Sequence, residues 1–488
     1  MSLSVCLIAP GNCSMADPRI APPLGCLYLA AAQRNAGLGT PVVIDLNVAC
    51  YPAGPEGPKG HTGGDTHDFS LARSLSEVPT GCDVYGFSLA SMQLATGVPL
   101  ARALRQREGA GVVLVAGGAH ASAMPEDLAD DFDVVIKFEG EAAWVALLHA
   151  LVDKWDEPVT GGEVGPTLAE RLTSVGGFAG RVHAAAGKAL VIDGKQVDPL
   201  DDAPIPARDL LDFSRYTRRI AGKPATNLLT SRGCPARCMF CSQESIWQEG
   251  LRLMTPARVL AEVDSIYETT GIRNILFLDD SLTACSTARM KELCDGLAAR
   301  GIAWRGWTRA NLIARDDRLD MLKYMHKSGF VSCCVGVEAG SDKVLRALAK
   351  QTTVEQNRAA IRNLKAAGIK ARCSIMVGNP TETWDDVQAL VDFVAEVQPD
   401  DWILSSLVPL PGTPSWDKAD EFGIEIDAET SRRGLYADVF IVGGNEQSGG
   451  GYWRYKNGVT PSEIQDRHDY VQESLLRLCP RDRQGLVS

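Results

Sequence analysis

The chain has 488 residues, of which 45% are apolar and 23% charged, with a formal net charge of −12. That length exceeds one ordinary core and fits two or three domains, and the balance excludes a globally disordered chain. The acidic charge speaks against an extended nucleic-acid footprint, and no apolar run reaches the ~18 residues that span a bilayer.

Residues 1–155 alternate short apolar runs with amphipathic stretches. Strands are expected over residues 4–9, 42–46, 83–88, 112–116 and 134–137. Helical periodicity places Leu94, Val98, Ala101 and Leu104 on one face, and Trp144, Leu147, Leu148 and Leu151 on another. Buried strands separated by amphipathic helices predict a parallel, doubly wound sheet. Residues 51–66 are rich in Gly and Pro and read as an insertion. No basic segment precedes the apolar run at residues 4–9, so the expected compartment is the cytoplasm.

Residues 156–222 break the alternation. A hairpin is expected over residues 190–197 around Asp193-Gly194, followed by a proline-rich linker that packs on both neighbours. Over residues 223–425 the alternation returns with a longer period. Strands are expected at 227–230, 274–278, 304–309, 331–337, 372–377 and 402–408. Six strand–helix units predict a parallel (β/α)6 partial barrel, whose chemistry sits at the C-terminal strand ends. Residues 426–488 form a small C-terminal extension with one closing helix at 461–478. It covers the barrel mouth, and Trp453, Arg454 and Tyr455 either line the pocket or pack the last helix.

Fourteen cysteines in a long chain without a signal segment read as buried thiols plus a few ligands. Cys234, Cys238 and Cys241 stand apart. They are spaced C-x3-C-x2-C just after the first barrel strand. Three thiolates hold three irons of a 4Fe-4S cubane and leave the fourth open. Zinc usually takes four ligands, and no fourth Cys or His lies nearby in sequence.

Further motifs follow in order. Residues 277–281 (FLDDS) end the second barrel strand and Arg309 ends the third. Residues 336–341 (GVEAGS) end the fourth, 378–382 (GNPTE) follow the fifth, and 410–414 (LPGTP) follow the sixth. With the triad, these make residues 226–415 resemble the radical S-adenosylmethionine (SAM) superfamily. The resemblance implies that SAM chelates the open iron and that its reduction releases a 5′-deoxyadenosyl radical. It places Phe240 beside the adenine, and Asp279 and Asp280 at the SAM amine unless one of them only caps the next helix at Thr287. It gives Glu338 the ribose hydroxyls and counts Ser341 among the cofactor contacts. Arg309 either pairs with the SAM carboxylate or forms a structural salt bridge.

The leading domain carries residues 22–29 (PPLGCLYL) at its first helix, Ser88 to Ser91 after the third strand, Gly117-Gly118-Ala119-His120 after the fourth, and Phe138-Glu139-Gly140-Glu141 after the fifth. It resembles the cobalamin-binding Rossmann-like domain fused to radical SAM barrels. The resemblance implies that Ser88, Ser91, Gly117, Gly118, His120, Glu139 and Gly140 meet the cofactor. Paired glycines let backbone approach its nucleotide tail. A degenerate domain without cobalamin is the alternative. The loop over residues 9–15 lacks the D-x-H-x-x-G signature that supplies a histidine to cobalt. His67 lies after the second strand, where Ser70 replaces the glycine, so it reads as a decoy. No protein histidine is expected on cobalt, and His120 reads as a loop-ordering residue.

The resemblance implies a cobalamin-dependent radical SAM methyltransferase acting on an unactivated carbon of a small molecule. An external one-electron reductant such as flavodoxin or ferredoxin is its expected partner, with no nucleic acid and no membrane span. Relatives that close, contract or oxidise rings without net methylation remain open. A methylthiotransferase would need a second cysteine triad, whereas Cys6, Cys13, Cys26, Cys50 and Cys82 are scattered. A cobalamin sensor needs no triad, and an electron carrier normally uses four cysteines.

Overall fold

The computed structural model describes residues 3–13, 15, 17–51, 68–152, 168, 172, 181–184, 189–248, 250–427 and 453–479. His67 and residues 52–66 of the Gly/Pro-rich insertion lie outside them.

The N-terminal sheet has seven strands: β1 (Val5–Ala9), β2 (Val42–Asp45), β3 (Val84–Ser88), β4 (Val113–Gly117), β5 (Val134–Lys137), β6 (Arg181–Ala184) and β7 (Leu190–Asp193), in the order β2-β1-β3-β4-β5-β7-β6. All pairings are parallel except β6 with β7. Strand β1 buries both faces, as its alternation shows. Val5, Leu7 and Ala9 join the core under α1 (Leu24–Asn35) and the helix Glu141–Val152, while Cys6 and Ile8 join the core under the helix Leu94–Glu108.

The hairpin and the domain boundary need correction. Asp193-Gly194 ends a strand and does not turn a hairpin: β7 pairs antiparallel with β6 and parallel with β5, and both strands extend the N-terminal sheet past residue 155. Val191 and Ile192 are fully buried, so β7 reads as an inner strand rather than half of a solvated hairpin. Gly194 ends it because the chain passes the Glu139 carbonyl, where a Cβ would lie 2.0 Å from the oxygen.

The second sheet is parallel throughout and runs in chain order: β8 (Thr226–Leu228), β9 (Asn274–Phe277), β10 (Ala303–Arg309), β11 (Phe330–Glu338), β12 (Lys370–Val377) and β13 (Asp401–Ser406). It is the expected six-unit partial barrel. Its helices begin at local signals. The helix Pro256–Thr270 has Thr255 capping the Arg258 amide, Pro at its first position and Gly271 left-handed at its end.

The linker locks the domains together. The Ala207 amide donates to the Leu27 carbonyl. Arg208 is fully buried, paired with Glu262 at 2.9 Å and donating to the Asn227 carbonyl. At the far end Trp453–Tyr455 pairs antiparallel with Ile424–Ile426, and the closing helix spans Pro461–Leu478. Among the described residues no helix is long and apolar enough to cross a membrane.

Candidate active site

The cysteine loop leaves β8 through Thr230, Ser231, Arg232 and Gly233. Gly233 has φ +94, and a Cβ there would lie 2.0 Å from the Gly250 carbonyl oxygen, so the turn requires glycine. Cys238 is buried, and Cys234 and Cys241 are half-buried. Burial raises the Cys234 thiol and pushes Cys241 up to about 11. Deprotonation of these thiols therefore calls for a bound cation. Arg309 points Nη1 at the Cys238 sulfur, 3.2 Å away, and gives Nη2 to the Lys350 carbonyl. Among the described residues no three His, Cys, Asp or Glu side chains converge to hold one metal ion. A cubane fits better, because it takes each thiolate on a separate iron.

The two carboxylates after β9 differ. Asp279 is buried and accepts from the Thr230 amide, the Thr230 hydroxyl at 2.7 Å and the Ser231 hydroxyl. It shapes the cysteine loop and does not face the cavity. Asp280 does. It lines a cavity, and burial and the Asp279 charge push its carboxyl up to about 6 against a hydrogen bond from the Gly233 amide. Neither aspartate caps the following helix; Ser286 does, accepting from the Arg289 amide.

Glu338 ends β11 at φ +62 and pairs with buried Lys350 at 2.7 Å. Lys350 Nζ also sits 5.5 Å from the centre of the Phe240 ring. Ser341 is otherwise engaged: it caps the next helix at the Val344 amide and donates to Asp386. The Gly378–Glu382 turn closes on itself, with Glu382 accepting from the Gly378 amide and Asn379. The C-terminal extension braces that turn. Tyr455 donates to the Gly378 carbonyl at 2.6 Å and Arg467 to the Glu382 carbonyl. Trp453 is buried and Arg454 pairs with Glu425 at the surface, so these residues pack the extension and do not line the cavity.

That cavity, about 480 Å3, lies between the C-terminal edges of both sheets. Ser88, Gly117, Gly118, Glu139 and Gly140 line one side; Arg232, Trp247, Leu278 and Asp280 line the other. Gly118 has φ +100, and a Cβ would lie 2.8 Å from the Leu89 backbone. The glycine wall and apolar floor of Leu7, Gly86 and Trp144 suit the nucleotide tail of a cobalamin.

Two sequence-predicted contacts, His120 and Ser91, are placed elsewhere, and a third, Glu139, turns its carboxylate away. His120 is buried, with Nδ1 2.9 Å from the Ser91 hydroxyl and Nε2 3.6 Å from Asp127. It orders the loop, and neither it nor Ser91 lines the cavity. The Glu139 carboxylate is taken by Arg232, Arg252 and the Val197 amide, so only its backbone remains for a ligand. Sequence reasoning missed Arg232, two residues before Cys234, which lies 4.9 Å from the centre of the Tyr28 ring and 5.2 Å from that of Trp247. It also missed Lys350, which no motif marks.

Known proteins bear on this geometry. The radical SAM superfamily model matches residues 228–394 and the B12 binding domain model residues 18–148. The chain is 29% identical over 313 residues to an uncharacterized methyltransferase of Pyrococcus horikoshii, covering 63% of each. It is 28% identical over 310 residues to the anaerobic magnesium-protoporphyrin IX monomethyl ester cyclase of Cereibacter sphaeroides, covering 62% of this chain and 47% of that one. The chain thus spans about half to two thirds of these relatives. Its fold matches the radical SAM methyltransferase TsrM from Kitasatospora setae with a TM-score of 0.61 at 18% identity, covering 88% of this chain and 81% of that one. The chain belongs to the radical SAM enzymes that carry a B12-binding domain ahead of the barrel.

Proposed function

We propose that this chain is a cobalamin-dependent radical SAM methyltransferase that methylates an unactivated carbon of a small molecule. The observation that carries the reading is the single cavity shared by Gly117-Gly118 and Asp280, which puts the cobalamin edge of one sheet against the cluster edge of the other. When bound, the cluster supplies the electron that cleaves SAM and cobalamin supplies the methyl group.

The protein's own part is binding and orientation. Cys234, Cys238 and Cys241 ligate the cluster. Asp280 takes the SAM ammonium, Glu338 the ribose hydroxyls, and Phe240 packs on the adenine. Arg309 steadies the Cys238 thiolate through its Nη1 donor and complements the SAM carboxylate. Ser88, Gly117, Gly118 and Gly140 receive the cobalamin tail along backbone. Trp144 and the apolar floor exclude water, which protects a radical from quenching. A soluble one-electron donor such as flavodoxin or ferredoxin reduces the cluster in the cytoplasm.

The test is anaerobic reconstitution with iron, sulfide and hydroxocobalamin, followed by SAM and a strong reductant. Both 5′-deoxyadenosine and S-adenosylhomocysteine are expected by mass spectrometry. The cyclase relative favours a second reading, in which cobalamin serves a ring closure; 5′-deoxyadenosine without S-adenosylhomocysteine would select it.

A further inference from the structure

The shared cavity has two chemically different ends. At the strand ends it carries Ser88, the Gly117-Gly118 backbone, Arg232 and Asp280. Its inner end runs between the first sheet and the helices Leu24–Asn35 and Glu141–Val152. Leu7, Leu29, Gly86, Val115, Ile136 and Trp144 line it there. Gly86 and Val115 lie two residues, about 7 Å, inside the strand ends at Ser88 and Gly117.

The inner end offers almost nothing to a polar group. Leu7, Gly86 and Val115 sit in register on three paired strands, so their main-chain donors and acceptors are spent in the ladder. Trp144 gives its indole N–H to Gln33 at 3.2 Å and turns its carbon edge toward Gly86. The Tyr28 hydroxyl is enclosed by protein, beside Glu262 at the linker. Burial and the Asp45 charge push the Cys26 thiol up to about 12, so it stays neutral and a weak donor. Gly86 is a glycine inside a strand, a mark of close approach by another group. A Cβ there would lie 2.9 Å from Leu7 Cδ2 and 3.0 Å from Trp144 Cη2, so the inner end keeps its room only with glycine.

We propose that this inner end selects the cofactor by the base of its nucleotide tail: the chain takes cobamides that end in a benzimidazole or a phenol and discriminates against those that end in a purine. An aromatic ring entering here gains apolar contact and finds no partner for a polar edge. The dimethylbenzimidazole of cobalamin brings a single free ring nitrogen. Adenine brings an amino group and several ring nitrogens, each of which gives up water without a replacement. The sugar and phosphate of the tail are left at the strand ends, beside Ser88 and the glycine backbone. The proposal rests on the use of a cobamide and not on the fate of its methyl group.

The probes are cobalamin, p-cresolylcobamide, adeninylcobamide and cobinamide, which has no tail. Each is titrated anaerobically into the full chain with its cluster reconstituted, and binding is read by quenching of protein fluorescence. p-Cresol cannot ligate cobalt, so its cobamide separates apolar fit from the cost of freeing a base from the metal. Cobalamin should bind tighter than adeninylcobamide. p-Cresolylcobamide should bind about tenfold or more tighter than adeninylcobamide and than cobinamide. Val115→Thr keeps the side-chain shape and puts a hydroxyl into the inner end. It should narrow the gap between p-cresolyl and adeninyl cobamides about threefold or more. The wild-type comparison needs no variant to fold. Adeninylcobamide or cobinamide binding as tightly as p-cresolylcobamide, or an unchanged gap in folded Val115→Thr, would overturn the selection. Failure of all four corrinoids to bind would instead overturn the cobamide site itself. Formation of 5′-deoxyadenosine and S-adenosylhomocysteine with cobalamin tests the methyltransferase reading separately.

Discussion

Arg232 and Glu141 join the cysteine loop of the barrel to the loop after β5 of the N-terminal sheet through a buried contact of 2.6 Å, Nη2 to Oε1. Glu139 takes the other arm of the same guanidinium and shares itself with Arg252. The loop that carries the triad is thereby fixed against the wall of the cavity it faces.

Replacing Arg232 with Met leaves two buried carboxylates with one arginine between them. Removing one member of a buried ion pair costs about 3–5 kcal/mol. Urea unfolding of Arg232→Met should show a loss of that size, together with weaker cobalamin retention on gel filtration. A loss under 1 kcal/mol would mean that the network is solvated and does not join the domains.

Changing any one of Cys234, Cys238 or Cys241 to Ala should abolish the 4Fe-4S absorbance and all SAM cleavage. Cobalamin binding should persist, because the triad lies outside the glycine wall. Cleavage of SAM by any of the three variants would refute the cluster assignment.

The two aspartates after β9 should separate cleanly. Asp279→Asn weakens one acceptor of three buried donors and should destabilise the fold by about 1–3 kcal/mol. Asp280→Asn should leave stability nearly unchanged and raise KM for SAM at least tenfold. The pH dependence has a definite sign. The Asp280 carboxyl is raised to about 6, so it is anionic above that value and neutral below it. KM for SAM should rise as pH falls through 6 in wild type, and the Asn variant should lose that dependence. Equal KM in both variants at pH 8 would remove Asp280 from the SAM site.

All eleven strands predicted from periodicity are present, five in the first sheet and six in the barrel, within a few residues of their predicted ends. Apolar runs broken by amphipathic helices specify them locally. Strands β6 and β7 were not legible as part of the first sheet, since joining β5 is a long-range pairing and Asp193-Gly194 carries a strong local turn signal. The placement of the motifs was legible where motif and strand end coincide, as with the triad loop after β8 and Glu338 at the end of β11. It was not where tertiary contacts decide between neighbours: nothing in the local sequence says that Thr230 and Ser231 occupy Asp279 and leave Asp280 facing the cavity. Lys350 is of the same kind, reaching Glu338 from 12 positions further along the chain.

Gly118 offers the sharpest test of the cobalamin wall. Its φ of +100 disfavours any L side chain, and an alanine Cβ would meet the Leu89 nitrogen and oxygen at 2.8 Å. Backbone on both sides must then shift, and the amide of His120, which donates to the Leu89 carbonyl, shifts with it. Strain of this kind costs about 1–3 kcal/mol. Gly118→Ala should lower stability by that amount and weaken cobalamin binding at least tenfold, while reconstituted cluster absorbance stays at the wild-type level. Gly109→Ala supplies the control. Gly109 is also left-handed, at φ +86, but has nothing within 4 Å of its Cβ position and lies far from the cavity at the opposite end of the sheet. It should share the strain and spare the cofactor. If both variants bind cobalamin alike, the glycine pair after β4 shapes the fold and does not receive the tail.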